Sequence, residues 1–339
     1  MPNKALALLA PAALALFAAT PALAAPNVVA TIKPLHSLVA GVMEGVGTPE
    51  LLIEGAASPH GFSLRPSDAG KLESADLVFW IGEDLETFLD GPLETISANA
   101  TKIEMVDVEG MNILELREGG LFEAHSHGDE GHEAHDDHDH EHDEHAHEDD
   151  HADDHDHADD HDHDHAHEHG DAHIWLDPQN ARLMVAAIAD ALIAADPENA
   201  QTYNANGQAL AARLDALQAE IDARLAPARG TPFFVFHDAY HAFEESFDIE
   251  ATGSFTVNPE IAPGAGRLTE IRAIVEQQGA ACLFAEPQFS PQVIEIIADG
   301  TGARIGTLDP LGAAIADGPE LYFTLMNTMA DSLLDCLAD

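Results

Sequence analysis

From His125 to His169 the chain carries nothing that could build a core. This tract holds 17 of the 22 histidines and 20 Asp and Glu, with no Lys, no Arg and no large apolar side chain. Such a composition buries too little apolar surface to offset its ordering entropy, so a disordered loop is expected at neutral pH. Whatever folds must be assembled from the sequence on either side. The net charge is −49, and about −29 of it remains outside the tract. A surface of that sign repels nucleic acid and anionic membranes and attracts cations, which excludes nucleic-acid binding.

The N-terminus reads as a segment that leaves before folding. Lys4 gives a positive start, Ala5 to Ala19 form an apolar run, and Ala22-Leu23-Ala24 supplies a small-x-small cleavage pattern. A membrane anchor needs about 20 uninterrupted apolar residues, and Pro11 and Pro21 interrupt this stretch. Residues 1–24 are therefore expected to be a cleaved signal peptide, with a mature chain from Ala25 in the periplasm. The only cysteines are Cys282 and Cys336. In an exported chain an isolated pair reads as one disulfide, with two buried thiols as the alternative.

Strand and helix signals alternate on both sides of the tract. Before it, Val28–Ile32, Leu51–Ile53, Asp76–Ile81 and Lys102–Val106 read as strands, with helices predicted over Leu35–Val46 and from Pro66 through Leu72. Continuous apolar strands between helices indicate a parallel sheet covered on both faces. After the tract, Ile174–Leu176 is a brief apolar run, and Pro178 opens a helix to about Ala195. Tyr203, Leu210, Leu214, Leu217, Ile221 and Leu225 then recur at helical spacing along one long helix. A second series follows: strands Phe233–Phe236, Glu250–Ser254, Cys282–Ala285 and Arg304–Leu308, with helices Ala239–Phe247, Leu268–Gln278, Pro291–Ala298 and one from about Pro319.

The expected fold is α/β: two parallel-sheet lobes joined by one long rigid helix, with the ligand site at the carboxyl ends of the strands. The divisions are an N-terminal lobe over 25–196 containing the loop 123–171, a linking helix over 197–228, and a C-terminal lobe over 229–339.

Five histidines lie outside the tract: His36, His60, His173, His237 and His241. His60 falls in the loop after a strand, His173 is the first histidine after the tract, and His237 directly follows Phe233–Phe236. Asp309 ends the last strand. Three imidazoles with a carboxylate or water suit zinc, whereas a single histidine is more often a capping or core residue. His237 and His241 also form His-Asp-Ala-Tyr-His, a partial likeness to the helical motif of zinc hydrolases. Asp238 is one methylene shorter than the glutamate base of that motif, so His241 is read as solvent-facing or supporting, and His36 as structural. The tract offers many exchangeable and weaker zinc sites. Its ligands would be His125, His127, His132, His135, His138, His140, His142, His145, His147, His151, His155, His157, His161, His163, His165, His167 and His169.

Several strings run in order along nearly the whole mature chain. They are Lys33-Pro34-Leu35, His60 with Ser63-Leu64-Arg65-Pro66-Ser67-Asp68, Ala75-Asp76-Leu77-Val78, His173-Ile174-Trp175-Leu176, and Phe234-Val235-Phe236-His237-Asp238-Ala239-Tyr240. Phe255-Thr256-Val257-Asn258-Pro259-Glu260-Ile261, Phe284-Ala285-Glu286-Pro287-Gln288-Phe289 and Thr307-Leu308-Asp309-Pro310-Leu311-Gly312 complete the set. In these the chain closely resembles the periplasmic zinc-binding proteins of bacterial zinc ABC importers, a metal-specific class of solute-binding protein. The resemblance implies Zn2+ in a cleft between the lobes, held by His60, His173 and His237, and a Cys282–Cys336 disulfide. It also implies a membrane permease and ATPase as partners, a monomer, and no enzymatic activity. Some relatives place Glu before the first ligand histidine, where this chain has Pro59. Asp309 or a water is then expected to be the fourth ligand, with Glu286 supporting a ligand imidazole. The alternatives are a manganese or iron importer component of the same fold, a secreted zinc hydrolase using His237 and His241, and an adhesive surface protein.

Overall fold

Among the described residues, eight short strands form two separate four-stranded parallel sheets. The computed structural model describes residues 25–117, 122, 170–256, 259–260 and 263–338. The expected signal peptide and the histidines of the tract lie outside these residues.

The first lobe contains β1 (Val28–Ala30), α1 (Lys33–Val42), β2 (Glu50–Leu51), α2 (Pro66–Ser74), β3 (Leu77–Trp80), α3 (Pro92–Thr95) and β4 (Thr101–Glu104). Its strand order is β2-β1-β3-β4. After the tract come α4 (Pro178–Ala195) and α5 (Ala200–Leu225). The second lobe contains β5 (Phe233–His237), α6 (His241–Phe247), β6 (Gly253–Thr256), α7 (Ala265–Gln278), β7 (Cys282–Ala285), α8 (Gln292–Ala298), β8 (Arg304–Thr307) and α9 (Leu321–Leu337). Its order, β6-β5-β7-β8, repeats that of the first sheet. The predicted two-lobe α/β architecture is thus the one observed.

Local chemistry explains most boundaries. Strands β1, β3, β5, β6 and β7 are buried at every position, as parallel strands covered by helices must be. Pro34 and Pro178 sit in the first turns of α1 and α4, where a missing N–H costs nothing. Asp177 caps α4 by accepting from Gln179 N at 2.8 Å. The brief run Ile174–Leu176 is a 3-10 turn instead of a strand. Its carbonyls are already used, with Ile174 O accepting from Asp177 N at 3.3 Å and Trp175 O from the Tyr322 hydroxyl at 2.8 Å. In β6 the strand lies further along than predicted, because pairing with β5 is set by Val235 opposite Ser254 and His237 opposite Thr256.

Helix α5 spans 26 residues, about 39 Å at 1.5 Å per residue. It buries Tyr203, Leu210, Leu214, Leu217, Ile221 and Leu225, the residues whose spacing predicted it. The helix packs on α1 and α4, which precede it, and on α6 and α9, which follow it in the second lobe. One core cluster runs through both lobes, from Val28 to Leu337, and a smaller one lies within the second lobe around Phe234, Phe255 and Leu283. A continuous core of this kind leaves little freedom for the lobes to swing apart. Cys282 and Cys336 form a disulfide that ties the start of β7 to α9.

Candidate metal centre

Strand β5 places the first functional side chain. His237 is its last residue, one position earlier than the loop the sequence suggested, and β5 pairs with β7. The residue after β7 is Glu286, whose Oε1 accepts from His237 Nδ1 at 2.7 Å and lies 3.4 Å from His237 N. The pair sits at the point where the chain crosses from one side of the second sheet to the other, where α/β folds place ligands.

His173 arrives from the returning end of the tract and caps the 3-10 turn at Ile174–Leu176. Its Nδ1 and backbone N both meet Asp171 Oδ1, at 2.7 and 3.0 Å. Trp175 packs beside it and donates from Nε1 to Pro310 O at 2.8 Å, fixing this wall against the second lobe. His60 sits in the loop after β2, its N–H donating to Ser58 Oγ at 3.3 Å.

The three imidazoles converge. Their ring centroids stand 5.3, 5.4 and 5.6 Å apart, close to an equilateral triangle. One ligating nitrogen from each lies within 4.8 Å of the other two, and this is the one such group of His, Cys, Asp and Glu among the described residues. His60 Nε2 and His173 Nε2 are 3.3 Å apart. Zn–N bonds near 2.05 Å in a tetrahedron put nitrogens about 3.3 Å from one another. The pocket that the three rings help to line has a volume of about 10 Å3, room for roughly one water-sized body. Pro59, Trp175, Phe289, Pro310 and Leu311 close its walls.

Protonation is arranged for a cation. A carboxylate only accepts, so Asp171 and Glu286 fix Nδ1 as the donor on His173 and His237 and leave each Nε2 lone pair for the cleft. His237 Nε2 is buried with no hydrogen-bond partner, the state expected of an atom kept for an ion. Desolvation, reinforced by the two neighbouring imidazoles, holds the His60 pKa well below the ordinary value. Burial alone would lower His237 too, but the adjacent Glu286 carboxylate reverses the direction and raises it. Burial would push Asp171 up, and the His173 contact more than offsets this, so its pKa is lowered.

Asp309 lies outside the converging group. Its Oδ1 accepts from Leu311 N, Gly312 N and Gln288 Nε2 at 3.1, 2.9 and 2.8 Å, and its Oδ2 from Ala313 N at 2.6 Å. The carboxylate is engaged in capping its own turn. His241 opens α6 outside the trio, with Nδ1 buried and unpartnered. Asp238 does not face the trio as a base, since its carboxylate accepts from Arg117. His36 is buried in α1 with Nε2 3.1 Å from Pro49 O, the structural role expected of it.

Two residues of consequence escaped the sequence reading. Asp171 was hidden because it ends a run of acids and looks like the others. Glu86 gave no signal at all. It is fully buried, its Oε2 accepts from Ile81 N and Gly82 N at 2.9 and 3.0 Å, and burial pushes its pKa up to about 7.

Comparison with known proteins follows the same lines. The family described as "ZnuA: Zinc-uptake complex component A periplasmic" matches residues 28–336. A high-affinity zinc uptake system protein ZnuA of Brucella suis is 49% identical over 312 residues, 92% of each chain. The protein of that name from Yersinia pestis is 38% identical over 315 residues, 93% of this chain and 92% of its own. A crystal structure of ZnuA superposes with a TM-score of 0.71 at 22% identity, covering 93% of this chain and all of the other, and so shares the fold.

Proposed function

We propose, for a chain that belongs to the ZnuA family of periplasmic zinc-uptake components, that it captures Zn2+ between its lobes with His60, His173 and His237 and passes it to a membrane permease. The observation that carries this reading is the convergence of three imidazole nitrogens on a space of one-ion size. Zinc is the cargo, and no bond in a substrate is made or broken. A water completes the coordination, because Asp309 is committed to the amides of its own turn.

Three neutral nitrogen donors favour zinc over manganese, which sits better among carboxylates. A competition titration between the two metals checks this, with zinc expected to displace manganese. Asp171 and Glu286 lend negative charge behind two of the rings and fix their tautomers. The tract over 125–169 would supply weaker, exchangeable zinc sites. A cleaved signal peptide, a monomeric state and the absence of catalysis belong to the same reading. The hydrolase alternative loses its base, since the Asp238 carboxylate is held by Arg117.

Isothermal titration of the His60→Ala, His173→Ala and His237→Ala variants, each lacking residues 125–169, tests the assignment. Each should lose the tightest zinc site, by more than the roughly 10–100-fold that removal of a supporting residue costs. Full zinc binding in His60→Ala together with its loss in His241→Ala would overturn the reading and revive the hydrolase.

A further inference from the structure

The chain leaves the first lobe at Glu115 and returns at Gly170, where these two residues form an antiparallel bridge. Asp171 N donates to Leu114 O at 2.8 Å alongside it. The contact is too close for any side chain on Gly170: a Cβ there would run into Ile113 and stand 3.1 Å from the Leu114 carbonyl oxygen. The two feet of the tract are therefore held backbone against backbone.

One foot reaches His173, and the other reaches the residue next to His237. On the returning side, Asp171 grips His173. On the departing side, two residues past the bridge, Arg117 is only 14% exposed and extends its guanidinium to the second lobe. Its Nε donates to Asp238 Oδ2 at 3.0 Å, its Nη2 to Asp238 Oδ1, and its Nη1 to Glu244 Oε2 at 2.6 Å. The Phe122 ring lies 4.2 Å from the guanidinium carbon. Glu244 is itself fixed by Ala251 N, which donates to its Oε2 at 3.0 Å. Asp238 is the residue next to His237.

We propose that Arg117 is a positioning residue for metal capture: through Asp238 it sets the main chain carrying His237 relative to the segment carrying His173. The inference rests on the reading that these two histidines bind the metal. A forked, charge-assisted pair fixes orientation as well as distance, which a single point charge does not. Metal sites tolerate only about 0.5 Å of misplacement in their ligands. Without the guanidinium, the buried Glu244 and the half-buried Asp238 become two carboxylates that repel each other, and the backbone at His237 relaxes.

The test uses the full-length protein and its Arg117→Ala, Arg117→Lys, Asp238→Asn and His173→Ala variants. Zinc affinity of the tightest site is read by competition with a chromophoric chelator, and geometry by the visible spectrum of the first equivalent of Co2+. Arg117→Ala should weaken zinc by about 10–100-fold, the range for residues that orient ligands, and shift the Co2+ bands. Arg117→Lys should recover only part of the affinity. A purely structural role would lower the unfolding temperature of the metal-free protein and leave the Co2+ spectrum unchanged. If Arg117→Ala does not fold, Asp238→Asn retains the volume and the Glu244 pair and should show the same spectral shift. Wild-type affinity and spectrum in both Arg117→Ala and Asp238→Asn, with loss of the tight site in His173→Ala, would overturn the role of Arg117. A tight site that survives in His173→Ala would instead overturn the metal-site reading itself.

Discussion

The two sheets share one strand order, yet the ends of their central strands hold different chemistry. In the second lobe β5 ends in His237, and Glu286 beyond β7 accepts from its ring nitrogen. In the first, the segment beyond β3 meets Glu86, whose carboxylate accepts from the backbone of Ile81 and Gly82. One carboxylate orients an imidazole that faces a cleft, and the other closes a turn inside the core. Topology selects the place where a site can form, and the side chains at the strand ends decide whether one does.

That contrast can be broken from either side. The largest effect is expected at Glu86. Its pKa is raised to about 7 from 4.5, so between these values the unfolded chain is ionised while the folded one keeps the proton. Wild-type stability therefore falls as pH rises through that window, and above it the penalty is complete. Glu86→Gln removes it and should gain on the order of 3 kcal/mol over wild type by pH 7 relative to pH 4.5. Denaturant unfolding across that range measures the difference, and zinc affinity should not move. A flat difference would show that Glu86 and Glu286 are not the contrasting pair described.

Glu286→Gln comes next. It should weaken zinc by about 10–100-fold and leave stability nearly unchanged, the opposite pattern to Glu86. Titration calorimetry and unfolding on one preparation separate the two. A smaller effect concerns pH. Because Glu286 raises the His237 pKa and a protonated Nε2 cannot ligate, zinc affinity should begin to fall, as pH is lowered, before the ordinary imidazole value of about 6.5 is reached. In Glu286→Gln that onset should move to lower pH, as chelator competition between about pH 8 and 5 will reveal. The smallest effect is at Asp309. Asp309→Asn should change zinc binding less than Glu286→Gln does, as expected for a carboxylate whose hydrogen bonds go to its own turn and Gln288. A loss like that of His60→Ala would restore it as the fourth donor.

Much of this could be read from the residues. The apolar runs announced the central strands because both faces of each are covered, and the spacing from Tyr203 to Leu225 announced α5. His60, His173 and His237 stood out because each follows a strand or the tract. What could not be read depends on contacts between distant segments. Asp309 has the right chemistry for a ligand, but three amides of the turn that follows it claim its oxygens. Asp171 reads like any other acid at the edge of the tract, and only the fold turns its carboxylate onto His173. Arg117 is an ordinary arginine until the fold brings Asp238 and Glu244 to it.

The Cys282–Cys336 link reaches further than the helix it fastens. Cys282 begins the strand after which Glu286 follows, so the covalent tie braces the very rod that props one imidazole. Closing a loop of 54 residues is worth about 4 kcal/mol by chain entropy. A copy made where thiols stay reduced would keep every donor atom yet stand on a softer footing, and its grip on the ion would depend on the compartment in which it matured.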